Sequence, residues 1–233
     1  MGERIALAGG QITSVWREGT RVYRSVSGDR SFQHALLGHL ETQGFSAAPR
    51  FHGIDAEGHE VLDFLPGETD LDASRLTDQQ LSAGARLLRG FHDAAADFPE
   101  AAALGAETVC HNDWTPANTV FRDGVPVGMI DFDTARPGSR LWDVTYSAWT
   151  WTDLGDTSLS GAEQRRRLAV FVDGYGHPAV TLPLVALALP ARMAGRADWA
   201  RRNGRPEAVA WAEACLAFTL EHVTGVLHPD GLP

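Results

Sequence analysis

In the first quarter of the chain, apolar positions come in short runs split by glycine and aspartate. Residues 4–8, 13–17, 21–26, 50–54 and 60–64 each predict a strand. Between the third and fourth of these, 31–43 carries the longer period of a helix. The period then changes for good. Residues 76–98 place Leu81, Ala85, Leu88, Phe91 and His92 at helical spacing behind Thr77, a candidate N-cap, and predict a long amphipathic helix. Short strands are expected at 109–110, 118–121 and 125–130, the last two joined by the turn Arg122-Asp123-Gly124. Helical patterns follow from Asp143 through Trp151, then at 162–175, 180–202 and 206–226. The class is α+β: a small β-rich part with one helix, over residues 1–64, and a larger, mainly helical part, over 65–233.

Composition narrows this picture only in places. With 233 residues, 44% of them hydrophobic and 21% charged, the chain can bury a sizeable core. The most apolar stretch, 178–190, is broken by prolines and too short to span a bilayer, so no membrane association is expected. No charged segment followed by an apolar one opens the chain, and Cys110 and Cys215 lack a C-x-x-C partner, so a cytoplasmic location with reduced thiols is expected. Net charge is −10, which disfavours nucleic-acid partners, and Arg165-Arg166-Arg167 reads as one solvated helix face. All twenty basic residues are arginine.

The stretch from His111 to Asp133 carries the candidate chemistry. Asp113 and Asn118 lie five residues apart across a turn bent by Pro116, and the turn at 122–124 folds Asp131 back beside Asn118. Phosphoryl transfer asks the protein mainly for positioning and charge neutralisation: a carboxylate to orient a hydroxyl, ligands for Mg²⁺, and a cation on the nucleotide phosphates. Asp131 and Asn118 offer the hard oxygen ligands that Mg²⁺ takes, and Asp113 stands one loop-width away to aim or deprotonate a hydroxyl. A zinc site from Cys110, His111 and Asp113 is disfavoured, because strand neighbours point to opposite faces.

His111-Asn112-Asp113 to Asn118 and Ile130-Asp131-Phe132-Asp133 together resemble the aminoglycoside phosphotransferase and choline kinase-like family, distant relatives of protein kinases. Pro137-Gly138 to Asp143-Val144 is similar to a third segment of that family. The resemblance implies a bilobal protein-kinase-like fold with a hinge near 62–67 and ATP or GTP as donor. It implies Mg²⁺ on Asn118 and Asp131, Asp113 as the catalytic carboxylate, and His111, Asp133 and Asp143 in support. Asp143 would brace the catalytic loop rather than touch substrate.

Arg24 stands where the family's phosphate lysine would be, either gripping phosphate or solvated on its strand, and Gln33 or His34 occupies the place of the helix glutamate that pairs with that lysine. Gly10, Thr13 and Ser14 belong to a glycine turn that would approach phosphate, and Asp63 and Phe64 to a hinge whose main chain would meet the base.

The second substrate would be a small-molecule hydroxyl compound. Its pocket falls to the last helices, where 151–233 holds 8 arginines against 9 acids, a poor match for a polycation. Trp142, Trp149, Trp151, Trp199 and Trp211 are candidate lining residues or core. An alternative on the same fold is a catalytically weak nucleotide-binding or immunity protein.

Overall fold

A computed structural model describes residues 3–7, 15–25 and 27–224. Five short antiparallel strands open it: β1 (Arg4–Ala6), β2 (Val15–Glu18), β3 (Arg21–Ser25), β4 (Phe51–Ile54) and β5 (His59–Asp63), in the order β1-β2-β3-β5-β4. The register sets Arg24 of β3 directly opposite Glu60 of β5. Helix α1 (Ser31–Thr42) packs Leu36, Leu37 and Leu40 into the core and stacks the His34 ring on Phe51 at 3.8 Å.

Helix α2 (Asp78–Ala94) begins where its sequence provides a reciprocal cap. Thr77 Oγ1 accepts from the Gln80 N–H, and the Gln80 side chain accepts from the Thr77 N–H. The short helix α3 (Pro99–Ala102) leads to β6 (Thr108–Cys110) and to a hairpin of β7 (Thr119–Arg122) and β8 (Val125–Met129). Strand β9 (Arg136–Gly138) pairs with β6. This strand has no counterpart among the sequence expectations, because a Pro-Gly pair reads as a turn; Pro137 sits here in a two-stranded edge ladder, where a missing N–H is tolerated.

The remaining helices are α4 (Arg140–Trp151), α5 (Gly161–Tyr175), α6 (Leu182–Arg202) and α7 (Pro206–Thr219), followed by a wide turn at Leu220–Thr224. Helix α5 lies close on α2 because Gly174 has no side chain there. A Cβ at that position would meet Ser82 Cα at 2.7 Å. The core beneath holds Phe91, Trp114, Trp149, Trp151 and Phe171, all essentially without exposure. Each such side chain contributes roughly 1.5–3 kcal/mol by leaving water.

One expectation is overturned in this part. Arg165, Arg166 and Arg167 do not share a solvated face: Arg167 is buried, and its guanidinium donates to the carbonyls of Leu76, Ala73 and Thr152. Arg166 instead pairs with Asp78 and Glu163 at the surface. Three carbonyl acceptors satisfy the Arg167 donor fork, which makes its burial tolerable. Among the described residues, no helix is long and apolar enough to cross a membrane.

Candidate active site

The segment between β6 and β7 is held from below by one buried carboxylate. Asp143, on the first turn of α4, accepts the N–H of His111 at 2.7 Å and of Asn112 at 2.8 Å. It also accepts from His92 Nε2 at 3.0 Å, and the other ring nitrogen of His92 faces the Tyr175 hydroxyl at 2.8 Å. Burial alone would raise the Asp143 pKa. The hydrogen bonds from His92 and the His111 main chain outweigh it and hold the carboxyl below its ordinary value. His111 donates Nε2–H to the Ile130 carbonyl at 3.1 Å, and burial pushes its pKa below the usual histidine value, so the ring is a neutral strut. Asn112, just before Asp113, takes a left-handed backbone, φ 64°, a conformation that Asn tolerates better than most residues.

That bend presents Asp113. Tyr146 of α4 donates its hydroxyl to Asp113 Oδ1 at 2.8 Å, and Asn118 Nδ2 donates to Asp113 Oδ2 at 3.1 Å and to its carbonyl at 2.8 Å. A short 3₁₀ turn, Pro116–Asn118, positions the amide, with Thr115 Oγ1 accepting from the Asn118 N–H. With its nitrogen so engaged, the Asn118 side-chain oxygen is left for another partner. Asp131 arrives from the next strand. Ile130 N–H bonds the Asn118 carbonyl at 3.0 Å, and Asp131 itself adopts φ 64°, ψ 64°. Burial, and next the charge of Asp133, push its pKa up to about 6. Asn118 bonds both Asp113 and the main chain of Ile130, the residue before Asp131, so the structure brings Asp113, Asn118 and Asp131 to one cluster.

On the sheet side, Arg24 reaches this group. Its Nε bonds Glu60, its Nη2 lies 2.9 Å from Asp133, and its Nη1 lies 3.7 Å from Asp131. Glu60 has no exposure and also accepts from His34 Nε2 at 2.6 Å, while Gln33 Nε2 donates to the Asp133 carbonyl at 3.2 Å. Arg30 bonds Asp133 as well. Burial works against the Asp133 charge, but the hydrogen bond from Arg30 and the charge of Arg24 lower its pKa overall.

Asp63 and Phe64 lie at the end of β5. Asp63 pairs with Arg21 and accepts from His52 at 2.9 Å, and the Arg17 guanidinium lies over the Phe64 ring at 4.0 Å. Their N–H groups go to the carbonyls of Arg50 and Thr20, which leaves neither N–H for a base edge. Gly10, Thr13 and Ser14 lie outside the described residues.

Glu60, Arg30 and Tyr146 are the residues that sequence reading missed. Glu60 is set against Arg24 by the pairing of two strands that are not neighbours in sequence, so no local signal announces it. Tyr146 did carry a signal: it follows Asp143 by three residues, one turn along the same helix face.

Comparison with known proteins places the chain in a family. A model described as "Phosphotransferase enzyme family" matches residues 94–182, which include Asp113, Asn118, Asp131 and Asp143. The trifolitoxin immunity protein of Rhizobium leguminosarum bv. trifolii is 32% identical over 197 residues, covering 76% of this chain and 75% of that protein. Among solved structures, a choline/ethanolamine kinase family protein from Mesorhizobium loti superposes with a TM-score of 0.65 at 14% identity, over 99% of this chain and 89% of that one. The streptomycin-ATP-APH(2")-IIa ternary complex superposes with a TM-score of 0.57 at 13% identity, over 96% and 93%. These structural likenesses give the fold, a kinase-like α+β arrangement. With a relative of 32% identity over three quarters of both chains, and with the family's motifs gathered at one loop, the chain belongs to the phosphotransferase enzyme family.

Proposed function

We propose that this protein transfers the γ-phosphoryl group of ATP or GTP to a hydroxyl of a small molecule. The observation that carries the reading is Asp113, held through both carboxylate oxygens by Tyr146 and Asn118 and within electrostatic reach of Asp131. A carboxylate so fixed is preorganised to orient a hydroxyl, which is where most of the help in phosphoryl transfer comes from. The acceptor oxygen bonds to the γ-phosphorus as the bond between that phosphorus and the β-phosphate bridging oxygen breaks. The products are a phosphate monoester and ADP or GDP, and the hydroxyl proton passes to Asp113.

The donor set fits a hard divalent cation. Among the described residues the Asn118 amide oxygen is free, and the Asp131 carboxyl is pushed up in pKa by burial and next by the charge of Asp133, so a cation beside it would favour its ionised form. Asn118 and Asp131 would hold Mg²⁺, which when bound neutralises charge on the β- and γ-phosphates. Arg24 would supply the phosphate-side positive charge, with Glu60 in the role of its acidic partner and His34 linking that pair to α1. His111 and Asp143 keep the loop in place, and Asp133 holds Arg24 and Arg30.

The test is γ-phosphate transfer to a panel of hydroxyl compounds. Asp113→Ala is expected to remove turnover and retain nucleotide binding; loss of both would assign Asp113 to folding instead.

A second reading, a nucleotide-binding immunity protein with little catalysis, is favoured by the kinship with the trifolitoxin immunity protein and by Arg24 being shared among Glu60, Asp131 and Asp133. Mg²⁺-dependent nucleotide binding with neither hydrolysis nor transfer would establish it over the first.

A further inference from the structure

On the helical side of Asp113 the charge has the opposite character. Arg192 and Arg196 stand one turn apart on α6, which packs against α4. The Arg192 guanidinium lies 4.5 Å from the Tyr146 ring centre and 4.7 Å from that of Trp142, and it reaches the Asn112 carbonyl at 3.3 Å. Tyr146 is the residue that holds Asp113, so this guanidinium sits one side chain away from the catalytic carboxylate. Arg196 lies over the Trp199 ring at 4.3 Å, and its positive charge also acts on Tyr146.

Neither arginine is fully partnered among the described residues. Arg192 is only 8% exposed, yet among the described residues its Nε has no hydrogen-bond partner, and neither does the buried Nη1 of Arg196. The acid whose charge acts most on Arg192, Asp143, already spends both oxygens on His92, His111 and Asn112. A guanidinium offers five N–H donors in a fork that suits a carboxylate or phosphate, and a buried one without such a partner is costly. Arg192, one side chain from the hydroxyl-orienting carboxylate, and Arg196, one helical turn further along the same aromatic-lined helix, are placed for the far end of an acceptor.

We infer that the acceptor of this enzyme is an anionic hydroxyl compound, whose carboxylate or phosphate is held by Arg192 and Arg196 while its hydroxyl meets Asp113. This rests on the phosphotransferase reading above and adds the substrate class to it. The same wall repels polycationic acceptors.

The experiment pairs transfer with binding. Small hydroxy acids, sugar phosphates, neutral sugars and amino alcohols are each offered with Mg²⁺-ATP, and each is also tested for its shift of the thermal midpoint. Transfer confined to the anionic sets is expected, and hydroxy acids against sugar phosphates separates the two oxyanions. Arg196→Gln should raise the acceptor KM by about ten- to a hundred-fold, the loss of one or two charge-assisted hydrogen bonds. Arg192→Lys, which keeps the charge but not the fork, should raise it also. Arg202→Gln, an exposed change of equal charge further along α6, should leave the acceptor KM as it was.

Transfer to neutral or cationic compounds with none to anionic ones would overturn the inference and leave the phosphotransferase reading standing. Midpoint shifts by anionic compounds that disappear in Arg196→Gln, with no transfer to any compound, would support the anion site and overturn the phosphotransferase reading. Neither transfer nor an Arg196-dependent shift would overturn the inference, and nucleotide binding in the same samples shows that the protein is folded.

Discussion

The two sides of the Asp113 loop handle arginine in contrasting ways. On the sheet side, Arg24 and Arg30 are enclosed by Glu60, Asp131 and Asp133, so positive charge is matched before any ligand arrives. On the helix side, Arg192 and Arg196 face aromatic rings and a main-chain carbonyl, and one buried nitrogen of each, Nε of Arg192 and Nη1 of Arg196, goes unmatched among the described residues. A matched pair belongs to the architecture of the free protein. An unmatched buried charge is a standing cost, which a ligand of opposite sign removes. Under the proposed function, the contrast separates residues that would build the nucleotide side from residues that would select the acceptor.

The largest effect lies between the two sides. Asp113→Ala should lower kcat by roughly 10²- to 10⁴-fold, the usual worth of a positioned acid–base group, measured as transferred γ-phosphate. Next in size is the sheet side. Glu60→Ala strips Arg24 and His34 of a fully buried partner and should lower unfolding stability by about 3 kcal/mol in denaturant titrations.

Arg192→Met poses the same question to the helix side. It removes a buried charge that lacks an acid partner among the described residues, so stability should stay within about 1 kcal/mol of the parent or rise. A loss as large as that of Glu60→Ala would erase the contrast. The pH response sharpens it further. The Asp131 carboxyl is pushed up to about 6, above its unfolded value, so protons would compete with the proposed Mg²⁺ there. Cation affinity should therefore weaken as pH falls through 6. In the absence of Mg²⁺ the Asp131 contribution to stability is greatest at low pH and declines as pH rises through the same range. A modest effect on turnover is expected of Tyr146→Phe. Loss of one hydrogen bond to Asp113 should cost about 1 kcal/mol, or roughly five-fold in kcat.

Much of the fold was open to a reader of the sequence because its signals are local. The Thr77 cap, the helical spacing from Leu81 to His92, and the turn at Asp123-Gly124 each sit within a few residues of the structure they dictate. The loop residues Asp113, Asn118 and Asp131 were similarly legible, joined by a single hairpin. What escaped was set by distance along the chain. Glu60 faces Arg24 only through the β3–β5 pairing, Arg192 meets the loop only because α6 packs on α4, and Arg167 is buried by carbonyls some ninety residues upstream. A run of three arginines shows its charge in sequence, and only the fold shows which of the three finds acceptors inside.

Calorimetric titration of ATP into the parent protein and into Asp131→Asn, each with and without Mg²⁺, probes the nucleotide side most directly. Convergence of Asn118 and Asp131 on one cation predicts tight binding that needs Mg²⁺ in the parent and loses that dependence in the variant. Equal Mg²⁺ dependence in both proteins would contradict it.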